Sequence, residues 1–188
     1  MESDEFWTLI ETARAAADRP FDEALTDVLA GLPLDRILDY DERFDAVHAS
    51  VYRWDVWAAA ELIIGGCSDD GFIDFRAGLI GLGREWFERV AAAPDSLAEH
   101  PLVRGSVEDL EEALLQEDAT YAALRAYDRV TGVEGSCYEA QEARAAARPQ
   151  RADVEPDMGE SWDFADDGEM RRRLPRLAAL CLDRDGED

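Results

Sequence analysis

The chain has no lysine and no asparagine, only two histidines and only three cysteines in 188 residues. Without lysine there is no Gly-rich phosphate loop ending in Lys-Ser/Thr, no Schiff-base lysine and no pyridoxal-phosphate chemistry. Without asparagine there is neither an N-glycosylation acceptor nor a Cys-His-Asn triad. Two histidines, His48 and His100, are too few for a His-rich zinc site. Cys67, Cys137 and Cys181 stand 70 and 44 residues apart, which matches no zinc ribbon, finger or CxxC pair. An odd number of cysteines behind an acidic MESDEFW start reads as reduced thiols in a cytoplasm, with no secretory leader. Long apolar runs are missing too. The longest, WAAAELIIGGC, is too short to span a bilayer and holds Glu61. Bulky aliphatics are also scarce. Leu, Ile, Val and Phe number 42 against 30 alanines, so the five Trp and five Tyr must contribute to any core.

Negative charge is abundant. Forty-four Asp and Glu face 19 Arg, for a net charge of −25. That balance excludes general binding to nucleic-acid phosphates and adhesion to anionic membranes. It favours solubility, cations or a basic protein partner.

The periodicity is helical throughout, and no segment alternates like a strand. The spacing predicts helices over 3–17 (capped by Ser3 or Asp4), 22–31 (capped by Asp22), 34–52, 54–64, 72–82, 84–93 and 106–130. Residues 94–105 read as loop, and 139–148 as a weak helix. Residues 149–167 read as irregular, anchored by Trp162 and Phe164. A short helix capped by Asp166-Asp167-Gly168 follows, to about Leu174, and Pro175 opens a last turn or two. The expected fold is all-α: an irregular, orthogonally packed bundle of about six to eight helices with a loop-rich C-terminal segment. Residues 1–182 are expected to form a single domain, ahead of an acidic, frayed 183–188 end.

Chemistry-bearing residues concentrate in 52–76, YRWDVWAAAELIIGGCSDDGFIDFR. Trp54 or Trp57 could floor a ligand pocket, with Arg53 or Arg76 gripping an anion and Asp55 beside them. The competing reading makes the rings core and the Arg–Asp pairs local. Asp69 and Asp70, with Asp74 a turn further on, could supply oxygens to a hard cation. The favoured reading is that Ser68, Asp69 and Asp70 satisfy a helix N-terminus, with no metal bound. Cys67 reads as an inert thiol whose pKa the neighbouring carboxylates raise. Arg171, Arg172, Arg173 and Arg176 read as an answer to the acidic 163–169 stretch. Asp74, Ala77, Gly78 and Gly81 share one helix face of small side chains, which is expected to lie against another backbone or line a groove.

The stretch WAAAELIIGGCSDDGFIDFRAGLIGLGREWFERV, together with DEFWTLIE near the start, resembles the bacterial family known as domain of unknown function 4240. GESWDFADDGEMRRRLPRLAAL resembles that family's C-terminal part. The resemblance covers about residues 4 to 181, with GGCSDDGFIDFR as its most specific stretch. It implies a helical fold and carries no catalytic assignment. One position departs from the family pattern: Gly78 stands where the family has Trp after FRA.

No nucleophile–base pair is legible, and no catalytic residue is assigned. The expected function is a cytoplasmic helical interaction or regulatory module without a cofactor, whose partner is a protein of basic character. Two alternatives stay open. One is an enzyme with a carboxylate/Arg/Trp pocket, with or without a divalent cation. The other is an acidic inhibitor of a basic nuclease or DNA-binding protein.

Overall fold

A computed structural model describes residues 1–16, 18–105, 107–147 and 156–182. Among these, twelve α-helices and two 3-10 helices form and no strand does. The fold is all-α, and the helix count exceeds the expected six to eight. The Cys-poor, Ala-rich sequence builds two compact units, each from two stretches of chain.

The first unit comprises Met1–Val47 and Glu117–Pro156. It holds α1 (Ser3–Arg14), α2 (Phe21–Ala30), most of α3 (Leu34–Ser50), α8 (Glu117–Thr120), α9 (Ala122–Thr131) and α10 (Ser136–Ala146). Helix α2 packs against both α1 and α9. Large rings replace the missing aliphatics: Phe6 stacks on Tyr40 at 5.2 Å, and Phe6 and Tyr40 are fully buried. Small residues let α9 approach closely, with Ala122, Ala123 and Ala126 all buried. Arg125 and Arg129 of α9 reach Asp22 at 2.9 Å and Asp27 at 2.5 Å on α2.

The first two expected caps are corrected. Helix α1 begins at Ser3 after Glu2, and no side chain caps it. Helix α2 begins at Phe21 after Pro20, again uncapped, and Asp22 pairs with Arg125 instead. The Pro20 ring presets the entry dihedral, so the helix starts one residue early without a side-chain acceptor. Helix α10 borrows its cap: Asp128 of α9 accepts from the amides of Gly135 and Cys137 at 2.7 and 3.0 Å and from the Ser136 hydroxyl at 3.0 Å. Those bonds hold the Asp128 carboxyl below its usual range despite its partial desolvation.

The second unit comprises His48–Gln116 and Asp157–Asp188. It holds α4 (Trp54–Ile64), α5 (Asp69–Gly81), α6 (Arg84–Ala92), α7 (Val107–Leu114), α11 (Asp167–Arg173) and α12 (Pro175–Cys181). Helix α4 ends as its sequence predicts, on Gly65 in the left-handed conformation at φ 77°. Of the expected capping segment Asp166-Asp167-Gly168, Asp166 is the cap of α11, accepting from the Gly168 and Glu169 amides.

Residues 94–105 are not loop. Pro94–Glu99 and Leu102–Arg104 are 3-10 helices, and the first packs against α4, α6 and α12. Pro94, Leu97 and Ala98 are buried there. Three-residue turns carry no 3.6-residue stripe, so periodicity could not reveal them. The expected helix over 106–130 is three helices; its expected first residue, Ser106, lies outside the described residues. The first break follows Leu114, where the Gln116 amide donates to the Asp74 carbonyl of α5 at 3.2 Å. The 183–188 end and residues 148–155 also lie outside the described residues.

Candidate functional site

The 52–76 segment forms the link that follows α3, all of α4, the turn after it and the first half of α5, within the second unit. Its rings stack on one another. Trp54 lies on Trp57 at 5.4 Å, Trp57 on Phe72 at 4.7 Å and Phe72 on Tyr52 at 5.9 Å. Phe164 abuts Trp54 edge-on at 6.1 Å, and Trp162 abuts Phe164 at 5.5 Å. The expected anchoring of the irregular C-terminal stretch by Trp162 and Phe164 is therefore real. The Trp57 indole donates to the Cys67 carbonyl at 2.9 Å, which ties the Gly65–Gly66 turn to α4. Two of the proposed pocket rings are thus occupied by ring–ring packing.

Arg53 and Asp55 pair with each other at 2.9 Å at the start of α4, where Asp55 also accepts from the Val56 amide. Arg76 is separate from them. Its guanidinium lies 4.8 Å from the Tyr52 ring centre and 5.0 Å from that of Phe72, and only 7% of the residue is exposed. It donates to the His48 carbonyl at 3.2 Å and the Phe72 carbonyl at 3.3 Å, and it meets His48 Nδ1 at 3.1 Å. A guanidinium only donates, so Nδ1 is an acceptor and the ring proton sits on Nε2, which donates to the Ile73 carbonyl at 2.9 Å. Burial, and then the adjacent Arg76, push the His48 pKa down to about 4. His48 is a neutral spacer for Arg76 at neutral pH. Arg76 stabilises the last turn of α3 by answering an end-of-helix carbonyl with positive charge.

Ser68 caps α5, accepting from the Gly71 amide at 3.1 Å. Asp69 and Asp70 are the first two residues of that helix and are exposed, so they act on its dipole rather than as its side-chain acceptor. Asp74 lies one turn on, half-buried, and its carbonyl accepts from Gln116. Among the described residues, no group of three or more His, Cys, Asp or Glu is placed to hold a metal ion. The Cys67 thiol is pushed up to about 11 by burial, with Glu61 and Asp74 adding to it rather than Asp69 and Asp70. Of the C-terminal arginines, Arg172 and Arg173 pair with Glu169, and Arg173 also meets Glu160 at 3.0 Å and covers Trp162. Arg176 reaches instead to Asp95 at 3.0 Å and to Glu99.

A second constellation, in the first unit, escaped the sequence. Leu38, Asp41, Glu42 and Asp45 of α3 and Gln141, Arg144 and Ala145 of α10 line a cavity of about 280 Å³. The Gln141 amide donates to Asp41 at 2.6 Å. Arg144 is held by Asp39 and by Glu42 at 3.1 Å. Burial raises the Asp41 pKa to about 6, against the Gln141 bond and with help from Asp45 and Glu42. Asp45, at the exposed rim, is raised as well, by lost hydration and then by Glu42. The signal was present as the mid-helix run DYDERFD, but carboxylates on a helix read as solvated until a second helix covers them.

The profile of a family described as a protein of unknown function, DUF4240, matches residues 1–129. That span includes the 52–76 segment and all of α3, and it stops short of the C-terminal segment included in the sequence resemblance. No curated protein and no solved structure matches the chain. Among the described residues, no helix is long and apolar enough to cross a membrane.

Proposed function

The chain belongs to the DUF4240 family, and we propose that it is a non-catalytic helical interaction module whose partner is a protein combining apolar and basic groups. One observation carries this reading. Of the large apolar side chains exposed among the described residues, Tyr121, Val130, Val133 and Tyr138 all fall in α9, α10 and their flanks, and only Ile73 lies elsewhere. Exposed tyrosines among aliphatics, on a surface otherwise rich in carboxylates, are the composition that partner surfaces bury. The net charge of −25 selects a basic partner and speeds its encounter. The 52–76 segment supports the same reading. Its rings pack on each other, Arg53 is paired with Asp55, and Cys67 is held protonated at neutral pH.

The test is site-specific photocrosslinking in cells that make the protein. A crosslinker at 133 or 138 should capture one defined basic protein, and a crosslinker at Glu85, an exposed position of α6, should not. The capture should be lost in Tyr121→Glu. No discrete product from 133 or 138, or the same products from 85, would defeat the proposal.

A further inference from the structure

We infer that residues 157–165 are a displaceable strap. The shelf beneath them, the Trp54 ring and the first amide of α4, is a binding site for a peptide segment of a partner protein bearing two aromatic side chains one residue apart. The site lies in the second unit and does not depend on the α9–α10 surface proposed above.

The strap wraps one residue. Its Met158 carbonyl accepts from the Trp54 amide at 3.0 Å, and the Phe164 ring abuts the Trp54 ring edge-on at 6.1 Å. Trp162 stands against Phe164 at 5.5 Å. Asp157 accepts from the Gly159 amide and Asp163 from that of Ala165, both at 2.9 Å, so these bonds close within the strap and do not tie it to α4. Arg173 of α11 covers Trp162 at 4.3 Å and pairs with Glu160 at 3.0 Å. The Glu160 side chain is exposed, so that pair contributes little.

The fit of the strap is imperfect. The Trp162 indole N–H is cut off from solvent and finds no acceptor among the described residues, so the docked strap loses the hydration of that group without return. Segments held by few contacts open locally while the rest stays folded. The shelf keeps its shape when the strap leaves. Trp54 stacks on Trp57, Trp57 on Phe72, and the Trp57 indole is bound to the Cys67 carbonyl. A preformed site spends little on ordering. Opening leaves the Trp54 amide, an orphan donor of the helix start, and a half-buried Trp54 ring. A carbonyl and an aromatic side chain answer them, the pair that the strap itself supplies, and a peptide offers both at once. A second copy of this chain is a poor occupant, because two chains of −25 repel and each holds its own strap at high effective concentration.

The probe is a synthetic peptide with the sequence of residues 156–166, titrated into the full chain and followed by NMR of amides and indoles. Phe164→Ala loosens the strap and leaves the shelf intact. Saturable binding to this variant is expected, with shifts at 54–57. The parent should bind at least tenfold more weakly, since its affinity is reduced by the fraction of time the strap is open. The peptide carrying Trp162→Ala and Phe164→Ala should not bind. In the parent, the Trp54 amide should exchange at least tenfold faster than that of Ala59 in the buried middle of α4, and faster still in Phe164→Ala. Arg173→Gln loosens the strap without removing a ring, should fall between, and carries the test if melting curves show Phe164→Ala unfolded. Trp54 exchange as slow as that of Ala59 would mean that the strap opens only on unfolding. That result, no saturable binding to either loosened variant, equal affinity for parent and variants, or equal binding of the alanine peptide would each overturn the proposal. Self-association of the loosened variants through the shelf would make the occupant a second copy and overturn it as well.

Discussion

Gly78 of α5 lies directly against the backbone of Leu114 in α7. A Cβ built on Gly78 would fall 2.2 Å from the Leu114 carbonyl oxygen and 2.6 Å from its Cα. The clash is with backbone, which cannot rotate away. Mid-helix Gly→Ala alone would favour the helix by about 1 kcal/mol. Here overpacking, at about 1–3 kcal/mol or more, should win. Gly78→Ala is therefore expected to lower unfolding stability by about 2 kcal/mol in urea titrations. A more stable variant would show that α5 and α7 are further apart than the structure has them. The same contact explains why a Trp cannot stand at 78 in this chain.

At the start of α5 the cap and the charges should separate. Ser68→Ala removes the acceptor for the Gly71 amide and should cost about 1 kcal/mol. Asp69→Ala and Asp70→Ala remove only charge near the dipole and should each cost about 0.3–1 kcal/mol, shrinking as salt rises. Urea midpoints of the three variants at low and moderate salt decide it. An Asp variant that costs more than Ser68→Ala would return the cap to the aspartates.

Asp41 should destabilise the protein at neutral pH. Its folded pKa, about 6, is raised above the usual 3.8, so the folded state holds a proton that the unfolded chain has released. Stability from this group is present below about pH 4 and is lost as pH rises to 6. Asp41→Asn should therefore be more stable than the parent at pH 7, by about 1–2 kcal/mol after allowance for its partial exposure. The gap should close towards pH 4. A variant less stable than the parent at pH 7 would mean that the ionised carboxylate has a partner.

His48 has the opposite sign. Its folded pKa, about 4, lies below the usual 6.5, so between those values only the unfolded chain takes up a proton. Its contribution is full above about pH 6.5 and falls away as pH drops to 4. Ring NMR should find one of the two histidines titrating near 4, carrying its proton on Nε2. The pH slope of stability between 6.5 and 4 should flatten in His48→Gln. An ordinary His48 titration near 6.5 would show that the Arg76 contact does not hold in solution.

The sequence by itself determined the helical class, because apolar residues at 3.6-residue spacing have no other way to share a face. It also determined those helix ends whose signal is local: Gly65 needs only its own freedom at positive φ, and Asp166 needs only the next turn's amides. The small face around Gly78 was legible as well, since four small side chains on one side of a helix imply a close neighbour, though not which one. Residues 94–99 were misread because a 3-10 helix is stabilised by what covers it, here α4, α6 and α12. The caps at Ser3 and Asp22 were misread because propensity names a residue type, while the bond depends on where the chain enters. Only the tertiary structure brought Arg76 to His48, 28 residues away, and α10 onto Asp41, 100 residues away. A carboxylate's pKa is set by the water it loses and the charges it meets, and both are decided by elements distant in the chain. Asp41, Glu42 and Asp45 on α3 and the pair on α5 therefore look alike in sequence, and only packing made one set a cavity wall and left the other in solvent.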